Sequence, residues 1–587
     1  MTGPPRPILS GRWCSFVIVC FSLLASDGPS RAAHAFTSES PTALLLEARG
    51  IATSIDDRAE RSAALDPIVV AQIAIAPPAA RETLKAFPKL PNKLNYLTRL
   101  AQAYAATGNV AETERLYAEI VVEDQSSRPG KLAAANALGQ VSIAYANTGN
   151  LDEAFRTLER LKERTKQESF GIVGIVTAKL AEAQARRGDV TGAVKTALSI
   201  TGDNPYPLMT IIGDRVRHGK AQEAQGIMAS LDDGAQRYAQ WGVMQAQIEQ
   251  GRLIEAQVTA SAIKPGHAKA SALLELATYH REHGGQPLAL TLLQEAEASA
   301  RSTVNDWTRA DILWHIAAET AMAGDAAHAI SLATSIEKDG HRGSAILDIA
   351  KAQAKRGKFA EAFNTAGLLK QTPPTSVLAI SPYNMAISEI LVEMVKVGKG
   401  TEARDTAARF QDADIRRVWL YSEIAVAYAE LGNLKEARAA LALAETEAQR
   451  SARRKELRQL DDKLRFGHSP ADQTRFQELW RVEGDIQRGL EAIARALARK
   501  GDLSGAMAVA DELNQPARRL HLIKDVSMLH MQAGREDRTL RWARNLSRPS
   551  ERVFALVGIA TGLSHLTDKR SVKPAPSHKQ GLSRRNH

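Results

Sequence analysis

The chain has 587 residues, of which 24% are charged and 5% aromatic, and its formal net charge is +10. Few aromatic residues and many alanines and leucines favour packed helices over β-sandwiches, which use β-branched and aromatic residues. The only cysteines, Cys14 and Cys20, lie in an N-terminal apolar segment, so a chain without that segment has no thiol for a disulfide, a nucleophile or a cysteine-bound metal.

The first 35 residues have the organisation of a secretory signal peptide. Arg6 and Arg12 provide a basic start, an apolar run follows over residues 13–25, and small residues stand three positions and one position before a potential cleavage site. The run is shorter than the roughly 20 residues that span a bilayer. We therefore expect cleavage between Ala35 and Phe36 and a periplasmic or secreted protein. The alternative is an uncleaved N-terminal anchor.

The positive charge is concentrated at the two ends of the chain. The first 35 residues carry three arginines against one aspartate, and residues 565–587 carry six cations against one aspartate. The long body between them therefore has a net charge of only +3. The overall charge says little about what this body binds.

A glycine recurs along the body at intervals of 31 to 41 residues, apart from one interval of 69 that we interpret as containing a degenerate unit. The residue eight positions before each glycine is aliphatic, and the residue five positions after it is alanine or threonine. A period of about 35 residues is typical of helix-hairpin repeats. The twelve glycines are Gly108, Gly149, Gly188, Gly219, Gly251, Gly284, Gly324, Gly357, Gly398, Gly432, Gly501 and Gly534.

Each unit is predicted to be a pair of antiparallel helices. The aliphatic residue, for example Leu276, faces the core from the first helix. The glycine, here Gly284, ends that helix in a left-handed conformation at low steric cost. The small residue, here Ala289, lies one turn into the second helix, where close approach of the two helices excludes a larger side chain. Because one hairpin cannot bury its apolar face alone, the units must stack into a solenoid.

Residues 141–154 and 424–437 show the pattern most fully, with an aliphatic residue, a small residue, Tyr145 or Tyr428, glycine and alanine at a constant spacing. This pattern resembles the tetratricopeptide repeat (TPR), and the resemblance covers roughly residues 60–545. It implies an all-α, right-handed superhelical solenoid of about 12–14 antiparallel helix pairs. The family also implies a concave groove, lined by the first helices, that binds peptides or proteins.

Both ends of the array are expected to be capped, because terminal units of a solenoid need a polar outer face. The predicted organisation is a signal peptide at 1–35, capping helices and a degenerate first repeat at 36–90, repeats at 91–545 with a charged insertion near 447–472, a C-terminal capping helix at 546–566 and a disordered basic tail at 567–587.

Several units carry a cation fifteen residues before the glycine, at the start of the first helix, where the helix dipole disfavours positive charge. Two explanations remain open. The cations make structural contacts with neighbouring carboxylates or with carbonyls that end the preceding helix, or they form a ladder that binds an acidic ligand. These candidate binding residues are Lys93, Lys269, Arg309, Arg342, Arg417 and Arg519, and Arg61 and Arg552 match them in the end units.

No motif for catalysis, for a cofactor or for a metal is found in the sequence. Residues 398–401 resemble the end of a phosphate-binding loop, but Glu393 occupies the position where that motif requires glycine. His280 and His283 are three residues apart and lack the His-Glu-x-x-His arrangement of a zinc protease. The repeats leave no room for a catalytic domain, so we expect neither an enzyme nor a bound cofactor or metal.

The expected function is a non-catalytic scaffold for protein–protein interaction, with an unknown protein or peptide partner, in the assembly of a bacterial cell envelope. The alternative is a component associated with glycan or peptidoglycan, or with export. Such a glycan-binding protein would line its groove with exposed tryptophan and tyrosine residues. No nucleic-acid partner is expected, nor a membrane span after cleavage, and the oligomeric state stays open.

Overall fold

A computed structural model describes residues 39–123, 127–166, 171–200, 206–370, 381–410, 417–448, 455–457, 459–461, 463 and 470–571. The regular secondary structure in these ranges is α-helical, which confirms the predicted all-α fold. The predicted cleavage site at Ala35 and Phe36, most of the basic tail and much of the charged insertion lie outside the described residues. No helix in the described ranges is long and apolar enough to cross a membrane.

The helices are short and follow one another closely. In chain order they are α1 Pro41–Thr53, α2 Arg58–Ile75, α3 Pro77–Ala86, α4 Lys93–Ala106, α5 Val110–Glu123, α6 Arg128–Thr148, α7 Leu151–Thr165, α8 Ile172–Arg186, α9 Val190–Leu198, α10 Tyr206–Arg217, α11 Ala221–Ala229, α12 Asp233–Glu249, α13 Leu253–Ala262, α14 His267–Glu282, α15 Gln286–Arg301, α16 Asp306–Ala323, α17 Ala326–Thr334, α18 Asp339–Lys355, α19 Phe359–Gly367, α20 Pro382–Lys396, α21 Gly400–Arg409, α22 Arg417–Glu430, α23 Leu434–Ala448, α24 Pro470–Arg499, α25 Leu503–Ala510, α26 Pro516–Gln532, α27 Glu536–Arg544 and α28 Pro549–Ser571.

The repeat template is confirmed in the backbone and in the core. All twelve repeat glycines have a positive φ, between 71° and 113°, as expected for residues that end a helix in the left-handed conformation. In the second unit Asn150 then accepts a hydrogen bond from the backbone N–H of Glu153 and caps the second helix. All twelve alanine or threonine positions are at most 1% exposed, so the two helices of each unit meet there without room for a larger side chain.

The even-numbered helices are the first helices of the units, and the odd-numbered ones are the second helices. Successive first helices pack directly on one another, as α4 does on α6 and α16 on α18. A typical second helix packs between its own first helix and that of the next unit, and no comparable contact joins two second helices in the described ranges. The first helices therefore form the tighter inner layer of the array, with the second helices outside them.

The described residues of the 69-residue interval do not show the degenerate unit that the sequence suggested. Helix α22 packs directly on α24, so no further first helix stands between them. The extra length belongs to an insertion and to the N-terminal extension of α24, which has 30 residues. Leu479 of this extension packs with Leu457 and Leu460 in a small hydrophobic cluster of its own.

The array closes on itself. The C-terminal helix α28 packs on both α1 and α2, and one hydrophobic cluster joins buried residues from 44–137 with buried residues from 523–563. The Arg544 Nε atom lies 2.9 Å from a carboxylate oxygen of Glu47 across the same junction. Side chains of α2, α4, α26 and α28 together line an open cavity of about 730 Å³ at this seam. The two ends of the repeat array are therefore in contact.

Helix α1 completes the last unit. Its buried side chains have the spacing of those in ordinary second helices, with two adjacent residues followed by residues four and eight positions after the first. In α1 these are Leu44, Leu45, Ala48 and Ala52; the buried residues of α15 include Leu292, Leu293, Ala296 and Ala300 at the same spacing, and those of α23 include Ala440, Leu441, Ala444 and Ala448. Helix α28 is the last first helix of the described residues, and α1 packs on it in the place of a second helix.

The predicted C-terminal cap at 546–566 is corrected in two respects. The helix extends to Ser571, so residues 567–571 of the predicted disordered tail are helical. The helix also lacks the polar outer face expected of a cap, since it is buried almost continuously from Val553 to Ala560. The physical reason is that α1 covers the surface that an open solenoid would expose to water.

A candidate binding surface on the first helices

Three of the cations at the start of first helices are held by backbone carbonyls. Arg61, Arg309 and Arg342 each donate a hydrogen bond from Nη1 to the carbonyl six residues earlier, at distances of 2.6, 2.8 and 3.0 Å. Those carbonyls belong to the segment that follows the preceding helix. Arg309 and Arg342 also pair with the aspartates three residues before them. These arginines stabilise the turn into the next unit.

The other four of the six candidate cations pair with carboxylates. Each has at least one acidic partner on a neighbouring helix or turn, and Lys269 in addition donates to the carbonyl of Ser261 at 2.8 Å. The pairs are Lys93–Glu123 at 2.8 Å, Lys269–Glu295 at 2.8 Å, Arg417–Glu447 at 2.6 Å, and Arg519 with Asp511 at 2.8 Å and with Glu551. All six candidate cations thus have partners within the chain, which is the arrangement that the structural explanation requires.

A different group of side chains meets between α16 and α18. Three of them, Trp307, Asp311 and Trp314, are spaced by four and three residues, so they form one stripe along α16. Helix α18 contributes His341 and Asp348 to the same contact. We call this group, with His315, the aromatic surface.

The rings of the aromatic surface are fixed by one another and by one hydrogen bond. The Trp314 indole N–H donates to the Asp348 carboxylate at 2.8 Å, and the indole stacks on His315 with ring centroids 4.7 Å apart. The His341 ring stands edge-on to both indoles, at 5.0 Å from Trp307 and 6.1 Å from Trp314. The surface is therefore formed before any partner arrives.

Asp311 lies among these rings without a cationic partner. Its carboxylate is 3.9 Å from His341 and 4.0 Å from His315, and no lysine or arginine of the described residues lies as close. Desolvation lowers the pKa of His341, and the neighbouring His315 and Lys338 lower it further, against the opposite effect of Asp311. At neutral pH His341 is therefore an uncharged ring, and it does not neutralise the Asp311 carboxylate.

Two buried tryptophans of the inner layer differ from Trp307. Trp241 and Trp419 are only 8% and 6% exposed, and their indole N–H groups donate to Glu275 at 2.8 Å and to Glu423 at 3.1 Å. Burial raises the pKa of both glutamates. These tryptophans belong to the packing between units. Trp307 is 65% exposed, so most of its indole faces solvent.

The aromatic surface was not predicted from the sequence. The signal available was the spacing of Trp307, Asp311 and Trp314 along one predicted helix. The contribution of α18 could not be predicted without knowing how neighbouring first helices are aligned. Among the described residues, no group of three or more histidine, aspartate or glutamate side chains is arranged to hold a metal ion.

Comparisons with protein-family models and with curated proteins find no match. Solved structures that align with 90% of this chain include the pentatricopeptide repeat protein PPR10 from maize, at 14% identity over 70% of that chain with a TM-score of 0.29. They also include Naa15/Naa10 bound to HypK-THB, at 13% identity over 98% of that chain with a TM-score of 0.21. A third is a circular tandem repeat protein, at 11% identity over 99% of that chain with a TM-score of 0.15. Such low scores carry no inference about function. On its own contacts, the chain is an all-α helical-repeat solenoid.

Proposed function

We propose that this chain is a non-catalytic scaffold that binds a protein or peptide partner on the inner layer formed by its first helices. One observation carries the proposal. The aromatic surface presents an exposed indole, Trp307, beside an uncompensated carboxylate, Asp311, on α16, which the repeat packing holds against α18. Exposed aromatic residues on a rigid support are typical anchors of protein interfaces.

The place of action that we propose is the periplasm or the cell exterior, with a role in envelope assembly. The organisation of residues 1–35 supports export, and a body without cysteine suits an oxidising compartment because it has no thiol to oxidise. The exposed Trp307 also keeps a glycan-associated component as the second candidate, since an exposed indole can stack on a sugar ring.

Site-specific photo-cross-linking in cells tests the scaffold function. A photoreactive phenylalanine analogue replaces Val304, which is 94% exposed and precedes Trp307 by three residues. The matched control carries the analogue at Ile254, which is 80% exposed at the start of the second helix α13. We expect a discrete cross-linked protein with the analogue at position 304 and none at position 254.

Two results would contradict the scaffold function on this surface. One is the same set of cross-linked proteins from both positions, which would indicate random collisions. The other is the absence of any cross-linked protein at position 304, with the protein folded and correctly located. A cross-link to glycan alone would favour the second candidate.

A further inference from the structure

We propose that the aromatic surface recognises a lysine or arginine side chain of the partner polypeptide, a deduction that rests on the proposed scaffold function and specifies its ligand chemistry. The geometry that points to this chemistry is a solvent-exposed indole, Trp307, next to the carboxylate of Asp311. A cation held over an indole face is attracted by the ring electrons, and a nearby carboxylate adds charge attraction.

The position of Asp311 provides the first step. Its side chain is 51% exposed, so an incoming ammonium or guanidinium group can reach it from solvent. The neighbouring arginines cannot neutralise it, because Arg309 and Arg342 are held by the carbonyls and the aspartates of their own turns. Among the described residues the carboxylate therefore lacks a lysine or arginine partner, and a cationic side chain of the partner polypeptide would supply that charge.

The local charge points in the same direction. Residues 306–348 contain seven acidic and three basic residues, a net charge of −4, in a body whose net charge is +3. An acidic segment on a basic protein attracts basic partners to that segment and repels them elsewhere. This distribution favours a basic polypeptide over an acidic one, and over a neutral glycan, which would gain nothing from the uncompensated charge.

The rings provide the shape of the site. Trp314 is fixed by its hydrogen bond to Asp348 and by the stacked His315, and His341 fills the space between the two indoles with a side chain that is only 13% exposed. Trp307 therefore has His341 on one side and most of its indole open to solvent. A planar guanidinium group or the stem of a lysine can lie on the open part of the ring while its charge reaches Asp311.

Binding of defined peptides to the full mature chain tests the proposal. The probe is a fluorescein-labelled nonapeptide of glycine and serine with three arginines, and its control has citrulline, which is neutral and of nearly the same shape, at those positions. We expect the arginine peptide to bind at least about tenfold more tightly, with an affinity that falls as salt rises. Trp307→Ala and Asp311→Asn should each weaken binding by about three- to thirtyfold. Asp311→Asn should also reduce the salt dependence.

The matched control variant is Trp480→Ala. Trp480 is also an exposed indole, 49% exposed and stacked on Phe476 in α24, so its removal should leave the affinity of the arginine peptide unchanged. Circular dichroism confirms that each variant is folded.

Equal binding of the arginine and citrulline peptides would overturn the proposal, as would an equal loss in the Trp307 and Trp480 variants. So would binding of an N-acetylglucosamine tetramer by a protein that does not bind the arginine peptide. If the photo-cross-linked partner at position 304 survives Asp311→Asn while the arginine peptide fails to bind, the scaffold function stands and only the cationic ligand is refuted.

Discussion

The closure of the array makes Leu45 a sensitive position. It lies in α1 and is fully buried, whereas its neighbour Leu46 on the same helix is 49% exposed. Leu45→Ala removes buried methyl groups and leaves a cavity, which lowers the free energy of unfolding by about 2–5 kcal/mol. Leu46→Ala removes the same atoms from a partly solvated position and should cost less than about 1 kcal/mol. The two variants therefore separate packing from the chemistry of the substitution.

Hydrogen exchange followed by mass spectrometry shows which helices Leu45→Ala destabilises. Because α1 packs on α28, loosening α1 should raise amide exchange in residues 549–571 by at least about tenfold, although these residues are some 500 positions away in the chain. Exchange in α16, far from the junction, should not change. Unchanged exchange in α28 with Leu45→Ala, or an equal increase with Leu46→Ala, would refute the reasoning.

Four further predictions follow from the sequence and the contacts. N-terminal sequencing of protein from the envelope fraction should show cleavage after Ala35, and a retained Met1 would contradict it. Ala362→Phe should lower the free energy of unfolding by about 1–3 kcal/mol in urea titrations, whereas Ala360→Phe, at an exposed position of the same helix, should change it little. Arg417→Gln should destabilise the chain by about 0–1 kcal/mol and leave capture of the partner unchanged. Burial raises the pKa of Glu275, so the folded chain keeps that proton to a higher pH than the unfolded chain. The free energy of unfolding then falls as pH rises from the pKa of Glu275 in the unfolded chain to its higher pKa in the folded chain. Glu275→Gln should reduce this fall, measured in urea titrations at several pH values.

The repeated local features could be predicted from the sequence. A helix end that needs a left-handed residue favours glycine, and a close helix crossing favours alanine or threonine. Both residue types therefore recur in the sequence of every unit. Gly284 and Ala289, with a φ of 83° and 0% exposure, show these two features in one unit. Each requirement acts over a few residues, which is why periodicity alone was sufficient to locate it.

Features that join distant parts of the chain could not be predicted in the same way. The contact of α1 with α28 depends on the curvature accumulated over all units, and the only trace in the sequence is the second-helix spacing of residues 44–52. The aromatic surface likewise requires the alignment of α16 with α18. The sequence analysis considered the two ends of the array separately and expected each to be capped on its own.

Cross-linking across the junction tests the closed array most directly. The chain from Phe36 onward has no cysteine, so Glu47→Cys and Arg544→Cys introduce the only two thiols, at side chains that are in contact. A short bismaleimide should join them within one molecule and change its migration in a denaturing gel. Arg544→Cys combined with Glu249→Cys, which replaces an exposed glutamate on the distant helix α12, should give no such product. A chain that yields no intramolecular product from the first pair, or as much product from the second pair, would contradict the closed array.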